Sequence, residues 1–392
     1  MTEALVLDVV LLLLLLAYIG YGFRNGLSRS AFTIVGVMVG VVAAFFLAPL
    51  IGDWVPIPFL KLGASIVAAI ALVVAGHALG SVVGRGVRRG LERTPLGGVD
   101  RVLGGVVTGV VAALVVSVLS FSVGQLGVAP LTRAIAGSTV LRTISAIAPD
   151  PVEAFLAQVR GTVLDQGIPL VIGAFTGEAP ALPQIDTGSE ALNVAARSVV
   201  RITGNAPACG QSQSGTGWVV ADDRIITNAH VVAGVTEPVI EAPDGQALSG
   251  QVVYFDPIDD LAVIAVPGLN AGALPLGSTL ATGAQAAFEG YPYGGPFSAG
   301  GADVIAVGSP QVADIYGDSR APREVYTLAA DVREGNSGGP LLSLDGTVVG
   351  VIFARSGDTQ NVGYAMTMAE VDPVADQSAG LVAPVSTGDC IA

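Results

Sequence analysis

The rhythm of hydrophobic and polar positions changes twice along this chain. Up to about residue 128 the apolar residues come in long runs, roughly Val6–Gly22, Ala31–Gly52, Leu62–Gly84 and Val102–Val128. Each is about as long as the roughly 20 residues a helix needs to cross a hydrocarbon core, so residues 1–128 are expected to form a four-helix transmembrane bundle. Met1-Thr2-Glu3-Ala4 before the first run holds an acid and no base, a poor start for a signal peptide. From 129 to 187 the pattern weakens. Leu131, Ile135, Leu141, Ile144 and Ile147, then Val152, Phe155, Leu156, Val159 and Val163, suit one or two amphipathic helices broken at Pro149-Asp150-Pro151. Pro180, Pro183 and Gly188 then mark a juxtamembrane linker. Residues 188–392 differ again. A short helical stretch over Ser189–Ala196 leads into many short β-branched runs, among them Val199–Ile202, Gly217–Val220, Leu261–Val266 and Val348–Ile352. Turn residues such as Ala221-Asp222-Asp223, Pro243-Asp244-Gly245 and Asp345-Gly346 separate them. The spacing predicts an all-β domain, a sandwich or two small barrels.

Composition agrees with this division. The chain has 392 residues, 52% of them hydrophobic and 13% charged, too apolar for a wholly soluble protein of this length. Residues 1–186 carry 11 Lys+Arg and 10 Asp+Glu, whereas 187–392 carry 7 and 22. The β-rich part is therefore strongly acidic, and it lacks the clustered cations that nucleic acid requires. Arg24 and Arg29 follow the first run; Arg85, Arg88, Arg89, Arg93 and Arg101 follow the third; the second connection holds only Asp53 and Lys61. The excess of arginine puts the odd connections in the cytoplasm and the acidic domain outside the cell membrane. Gly36, Gly40, Gly104, Gly105 and Gly109 suit close helix packing. His77, in the third run, reads best as a neutral imidazole bonded to a neighbouring helix, since no acid accompanies it there.

A serine hydroxyl becomes a useful nucleophile only when a positioned base takes its proton. The chain has two histidines, and His77 belongs to the apolar region, which leaves His230, in Thr227-Asn228-Ala229-His230-Val231-Val232, for the β-rich domain. A carboxylate must then hold that imidazole's tautomer, and Asp259-Asp260 opens the apolar run Leu261-Ala262-Val263-Ile264. Finally, Gly335-Asn336-Ser337-Gly338-Gly339-Pro340 can turn sharply and aim two amides at one oxyanion. Each piece alone has a bland reading: a glycine turn, a satisfied histidine, a solvated strand end. Their order along a β-rich chain is what carries the chemistry.

Through those three segments, supported by Ser214-Gly215-Thr216-Gly217-Trp218 and Asn361-Val362-Gly363-Tyr364-Ala365, residues 190–375 resemble the chymotrypsin-like serine proteases, and among them the HtrA-like bacterial branch. The resemblance implies a double β-barrel, with His230 as general base, Asp260 as orienting acid and Ser337 as nucleophile. The oxyanion hole would be the N–H groups of Gly335 and Ser337. Asp259 stays open as the alternative acid. Asn336 stands where the digestive enzymes carry an aspartate that pairs with a newly cut N-terminus, so that switch is expected to be absent. Asp331, six residues before Ser337, has the spacing that confers preference for Arg or Lys, and equally reads as a surface acid. About two dozen residues follow Met368, too few for a PDZ domain.

Residues 1–128, with Asp8 in the first run and Gly20-Tyr21-Gly22-Phe23-Arg24-Asn25-Gly26 after it, resemble the colicin V production (CvpA) family. Cys209 and Cys390 bracket the β-rich domain; in an oxidising compartment they read as one disulfide, worth about 5 kcal/mol by chain entropy, the alternative being free thiols. The whole arrangement resembles the actinobacterial MarP family of membrane-anchored periplasmic serine proteases. That resemblance implies a role in acid or envelope stress, protein substrates in the cell envelope, and self-cleavage in the linker. No cofactor is expected, since the sequence holds neither a metal-ligand cluster nor a phosphate loop. Two other classes remain: a peptide-binding pseudoprotease, and a CvpA-like transporter regulated by its protease domain.

Overall fold

The computed structural model describes residues 2–53, 58–91, 97–124, 131, 134–135, 137–147, 168–171, 175, 177–206 and 211–391. Cys209, and the second amphipathic stretch expected over 152–163, lie outside them. The chain divides into two compact units, Asp8–Leu119 and the rest.

The first unit is built from α1 (Thr2–Asp53), α2 (Pro58–Leu91) and α3 (Gly97–Gly124). Three helices among the described residues are long and apolar enough to cross a membrane, where the sequence suggested four. The reason is that the first two apolar runs are joined in α1. At 52 residues it would be about 78 Å long if straight, more than twice the hydrocarbon thickness. It is interrupted at Gly26, whose φ of 72° and ψ of 163° only glycine adopts readily. A Cβ there would collide with the Asp100 carboxylate. Asp100 Oδ1 accepts from the Ser28 N–H at 2.9 Å and from its hydroxyl at 2.7 Å, capping the helix that restarts after the break. Before the break, Gly22 packs on Gly104; beyond it, Gly36 packs on Gly76, Gly40 on Leu72, and Phe32 on Gly80. Residue numbers rise on one helix as they fall on the other, so each half of α1 runs antiparallel to a different partner. One cavity is lined by Leu14, Tyr18 and Tyr21 from before the break and by Ser30, Thr33 and Val37 from after it.

In the second unit, α4 (Thr139–Ile147) is followed by β1 (Leu170–Val171) and α5 (Glu190–Ala195), which Ser189 caps by accepting from the Leu192 N–H. Then come β2 (Val199–Ala206), β3 (Gln211–Ala221), β4 (Arg224–Thr227), the single turn α6 (Ala229–Val232), β5 (Val239–Glu241), β6 (Ala247–Ser249), β7 (Gln251–Asp256) and β8 (Leu261–Ala265). These strands form one seven-stranded sheet in the order β6-β5-β2-β3-β4-β8-β7. Next are β9 (Gln285–Gly290), β10 (Ser298–Gly308), the separate hairpin β11 (Gln311–Ala313) and β12 (Arg320–Pro322), β13 (Val325–Ala329), β14 (Pro340–Leu342), β15 (Val348–Ser356), β16 (Val362–Thr367) and α7 (Met368–Ser378). Their sheet runs β1-β15-β14-β9-β10-β13-β16, and pairing of β15 with β16 closes it into a barrel. The all-β reading of this region therefore agrees with what the strands build.

Strand burial follows the side-chain alternation of a pleated sheet at the surface and vanishes in the centre, where β8, β14 and β16 are buried on both faces. Ile202, Ile225, Ile240 and Ile264 fill the first barrel, and Phe288, Leu328, Leu341 and Ile352 the second. Trp218, Leu261, Tyr291, Leu342, Phe353 and Tyr364 form a layer shared by both. Two details were not legible beforehand. Helix α7 buries Met368, Val371, Val374 and Ala375 despite Pro373 in its interior. Within the expected linker, Leu170 and Val171 pair in parallel with Arg355 and Ser356, and Ile168 is buried in the second barrel's core.

Candidate active site

Register brings the first two candidate residues together. Antiparallel pairing sets Thr227, the last residue of β4, opposite Ala262 of β8. The chain leaving β4 and the chain entering β8 are thus neighbours, and His230 on α6 meets Asp260 at the mouth of β8. His230 Nδ1 lies 2.8 Å from Asp260 Oδ2 and 3.0 Å from Oδ1, and the His230 backbone N–H donates to Oδ1 at 2.9 Å. Asp260 takes φ of 56°, a left-handed conformation that aspartate tolerates better than most residues. Its carbonyl accepts from Asn228 Nδ2 at 2.8 Å, which ties the two segments again. Asp259 faces elsewhere. It is half-buried, its carboxylate 4.0 Å from Arg323, and partial burial followed by the neighbouring Asp256 charge raises its pKa.

Ser337 sits in the turn between β13 and β14. Asn336 N–H donates to the Arg333 carbonyl (3.0 Å), Gly339 N–H to the Asn336 carbonyl (2.9 Å) and Gly338 N–H to the Ile352 carbonyl (2.8 Å). The buried Asn336 side chain accepts from the Arg333 N–H at 2.9 Å, so it holds this turn locally. Gly338 has φ of 81°, and a Cβ on it would strike the Thr216 carbonyl and Thr227 Oγ1 and lie 3.0 Å from the Asn228 nitrogen. The serine turn is therefore pressed against the strand end that leads into His230. His230 and Ser337 are 7% and 3% exposed, and His230 Nε2 and Ser337 Oγ are both buried without a protein partner.

Gly335 has φ of 87°. The carbonyl of Glu334 accepts from the Tyr293 N–H at 2.5 Å. In a trans peptide the N–H points opposite the carbonyl, so the Gly335 N–H faces away from Tyr293. The same holds at Ser337, because the Asn336 carbonyl is taken up by Gly339. Asp331, whose spacing offered either a reader of basic side chains or a surface acid, is paired within its own segment: Oδ2 accepts from Arg333 Nη2 at 2.6 Å and Nε at 3.0 Å, with both side chains about half exposed. That contact raises the Arg333 pKa.

Three buried residues near the site escaped the sequence reading. Thr216, wholly buried, bonds to the backbone of Ser337 and Gly335; its flanking glycines were the available signal, since glycine inside a strand often marks a close backbone approach. Asn228 bridges to Asp260. Glu289 is 1% exposed, its Oε2 has no partner, and burial pushes its pKa up to about 8. No group of His, Cys, Asp and Glu able to hold a metal occurs among the described residues.

Two seven-stranded sheets, a His230–Asp260 pair, and a glycine-held Ser337 turn packed on the strand end that leads into His230 are the arrangement of a trypsin-like serine peptidase. Comparison with known proteins gives the same class. Residues 215–351 match the family described as trypsin-like peptidase domain, a span that contains His230, Asp260 and Ser337. Residues 7–149 match the family described as colicin V production protein. Serine protease Rv3671c of Mycobacterium tuberculosis is 36% identical over 404 aligned residues that cover 100% of both chains. A DegP-like probable periplasmic serine endoprotease of Halomonas elongata is 35% identical over 173 residues, 42% of this chain and 34% of its own. The crystal structure of the Rv3671c protease in its active form covers 57% of this chain and 100% of its own, with 37% identity and a TM-score of 0.51. The chain belongs to the Rv3671c-like family of serine proteases, in which a colicin V production-type segment precedes a trypsin-like peptidase domain.

Proposed function

We propose that Ser337 is the nucleophile of a membrane-anchored endopeptidase, with His230 as its general base and Asp260 as the acid that orients the imidazole. The observation that carries this reading is the asymmetry of the His230 ring. Nδ1 is held by Asp260, while Nε2 and Ser337 Oγ are both buried and neither has a protein hydrogen-bond partner. A proton bound at Nδ1 leaves Nε2 as the acceptor for the serine proton. Oγ then attacks the scissile carbonyl, and the oxyanion is met by the Gly335 and Ser337 N–H groups. Collapse expels the amine, which takes the proton from Nε2, and water repeats the sequence on the acyl-enzyme. The test is labelling by a fluorophosphonate: the full-length chain should react and Ser337→Ala should not. Labelling that survives Ser337→Ala would overturn the assignment.

The anchor crosses the membrane four times in this reading, because the Gly26 break, with cavity-lining residues on both sides of it, supports a hairpin within α1. Arginine placement then sets the peptidase domain outside the cytoplasm, where envelope proteins are its substrates. Reporter fusions at residue 94 and after residue 392 should report opposite sides. The Cys209–Cys390 disulfide belongs to the same proposal; it is supported by Cys390 not being a free thiol.

Self-cleavage in the linker gains a physical consequence from β1. The Arg355 N–H donates to the Pro169 carbonyl at 3.2 Å and the Gly357 N–H to the Val171 carbonyl at 3.1 Å. β14 covers the same edge of β15 only as far as Val351, and Ser337 lies just before β14. The linker strand thus takes up the edge that an extended substrate would use beside the nucleophile. A role in acid stress is supported by Glu289, which is neutral, and so cheap to bury, only under acidic to neutral conditions.

A further inference from the structure

We infer that Thr216 is the positioning residue that holds the nucleophile and the oxyanion-binding glycine in register, an inference that rests on the assignment of Ser337 and Gly335 above. All four of its hydrogen-bonding groups or roles are engaged, and each reaches a different part of the site. Its backbone N–H donates to the Ser337 carbonyl at 2.9 Å. Its Oγ1 donates to the Gly335 carbonyl at 2.6 Å and accepts from the Tyr291 N–H at 3.0 Å. Its carbonyl accepts from Thr227 Oγ1 at 2.7 Å, at the strand end that carries the chain to His230.

The need for such a residue follows from Gly335. With no Cβ, glycine moves between positive and negative φ at little cost, and a rotated peptide would turn the Gly335 N–H away from a developing oxyanion. Two carbonyls flank that glycine's dihedrals. The Glu334 carbonyl is held by the Tyr293 N–H at 2.5 Å, and the Gly335 carbonyl by Thr216 Oγ1. Tyr291, which begins the turn that carries Tyr293, is itself bonded to the same Oγ1. The hydroxyl therefore fixes one side of Gly335 directly and the other through the Tyr291–Gly294 turn. Arg201 supports that turn from outside, its Nη1 donating to the Gly294 carbonyl at 2.8 Å. Space at Thr216 is tight enough that the chain around it has little choice: a Cβ at Gly290 would lie 2.7 Å from Thr216 Oγ1, and one at Gly339 would lie 3.3 Å from its Cγ2. Thr216 touches the backbone of the reacting residues and not the substrate, so it acts on the rate and not on binding.

Thr216→Val keeps the shape and removes the hydroxyl; Thr216→Ser keeps the hydroxyl and removes a methyl. In the full-length protein with a peptide substrate, Thr216→Val should lower kcat by about 10- to 100-fold with KM within about twofold. Thr216→Ser should restore kcat to within about threefold of wild type even if its melting temperature falls as far as that of Thr216→Val. Equal kcat in the valine and wild-type proteins would overturn the inference, as would a serine variant no faster than the valine one, or a loss expressed in KM. Ser337→Ala measured alongside separates the two readings. If it stays active, the nucleophile assignment fails; if it is inactive while Thr216→Val is not, only the positioning role fails.

Discussion

Glycine serves the two units of this molecule in opposite ways. In Asp8–Leu119 glycines lie within helices and act in pairs across helices, Gly36 against Gly76 and Gly22 against Gly104, where the absence of a side chain lets backbones touch. Around Ser337 they act singly, Gly335 and Gly338 at positive φ, where the absence of a side chain lets one backbone turn. Among the described residues of the helical unit, Gly26 belongs to the second kind, and there α1 breaks. The lesson is that a glycine count says little until each glycine is assigned to packing between elements or to turning within one. The chain uses the first to assemble its anchor and the second to shape its chemistry.

The largest effect that can break this comparison is at the acid pair. Asp260→Asn leaves the shape intact but removes the carboxylate that fixes the His230 tautomer, so kcat should fall by roughly 10^3- to 10^4-fold. Asp259→Asn, directed toward Arg323, should change kcat by less than about twofold. Steady-state kinetics on a peptide substrate distinguishes the two, and equal losses would mean that the contacts at His230 misidentify the acid. Next in size is Gly338→Ala. The new Cβ meets the Thr216 carbonyl and Thr227 Oγ1 at a backbone angle unfavourable to alanine, so thermal unfolding should show a loss of about 2–4 kcal/mol together with loss of activity. Gly36→Ala in the helical unit carries a comparable clash with Gly76, yet fluorophosphonate labelling of the peptidase domain should persist, because that glycine separates helices and shapes no turn.

How much of this was legible beforehand depends on whether a feature is local. Apolar runs announce helices because a spanning helix must be apolar along its length, and Thr227–Val232, Asp259–Ile264 and Gly335–Pro340 announce chemistry because each is a short segment with a strong requirement. At α1 a polar gap, Arg24-Asn25-Gly26-Leu27-Ser28-Arg29-Ser30, separates two apolar runs in the sequence, yet the backbone carries both in one helix interrupted at Gly26, because these polar residues are themselves compatible with helix and only the glycine departs from it. The resemblance favours Asp260 over Asp259 because Asp260 directly precedes the apolar run, and register adds the physical reason, since Thr227 opposite Ala262 sets which carboxylate faces α6. Thr216 sits in a segment the sequence marks, but its role comes from partners such as Tyr291 and Gly335, more than 70 residues away, and that of Glu289 from an oxygen without a partner, neither of which a local pattern carries. β1 falls within the expected linker for the same reason, its pairing residues Arg355 and Ser356 lying far along the chain.

Glu289 sharpens the contrast from the electrostatic side. Its folded pKa of about 8 lies above the ordinary carboxylate value of 4.5, so the folded state holds a proton that the unfolded state has released. Stability from this residue is therefore fully present below about pH 4.5 and declines as the pH rises toward 8. Glu289→Gln, which cannot ionise, should match wild type in chemical denaturation at pH 4 and exceed it at pH 8 by up to about 4 kcal/mol. Parallel pH profiles for the two proteins would show that Glu289 finds a partner when charged.

The smallest expected effect is at Asp331. Trypsin-like preference for a basic side chain requires an unpaired carboxylate at the base of a pocket; here the carboxylate is half exposed and already forked by Arg333 Nε and Nη2. An exposed pair of this kind contributes about 0–1 kcal/mol, and a substrate cation would have to displace the arginine two residues away. Asp331→Ala should therefore change kcat/KM for substrates with arginine and with leucine before the cut by the same factor, within about twofold. A selective loss on the arginine substrate would mean that Arg333 swings aside on binding and that Asp331 reads the substrate after all. Selectivity left unchanged would instead pass the question to the residues flanking the β15 edge, Arg355 first among them, where β1 now lies.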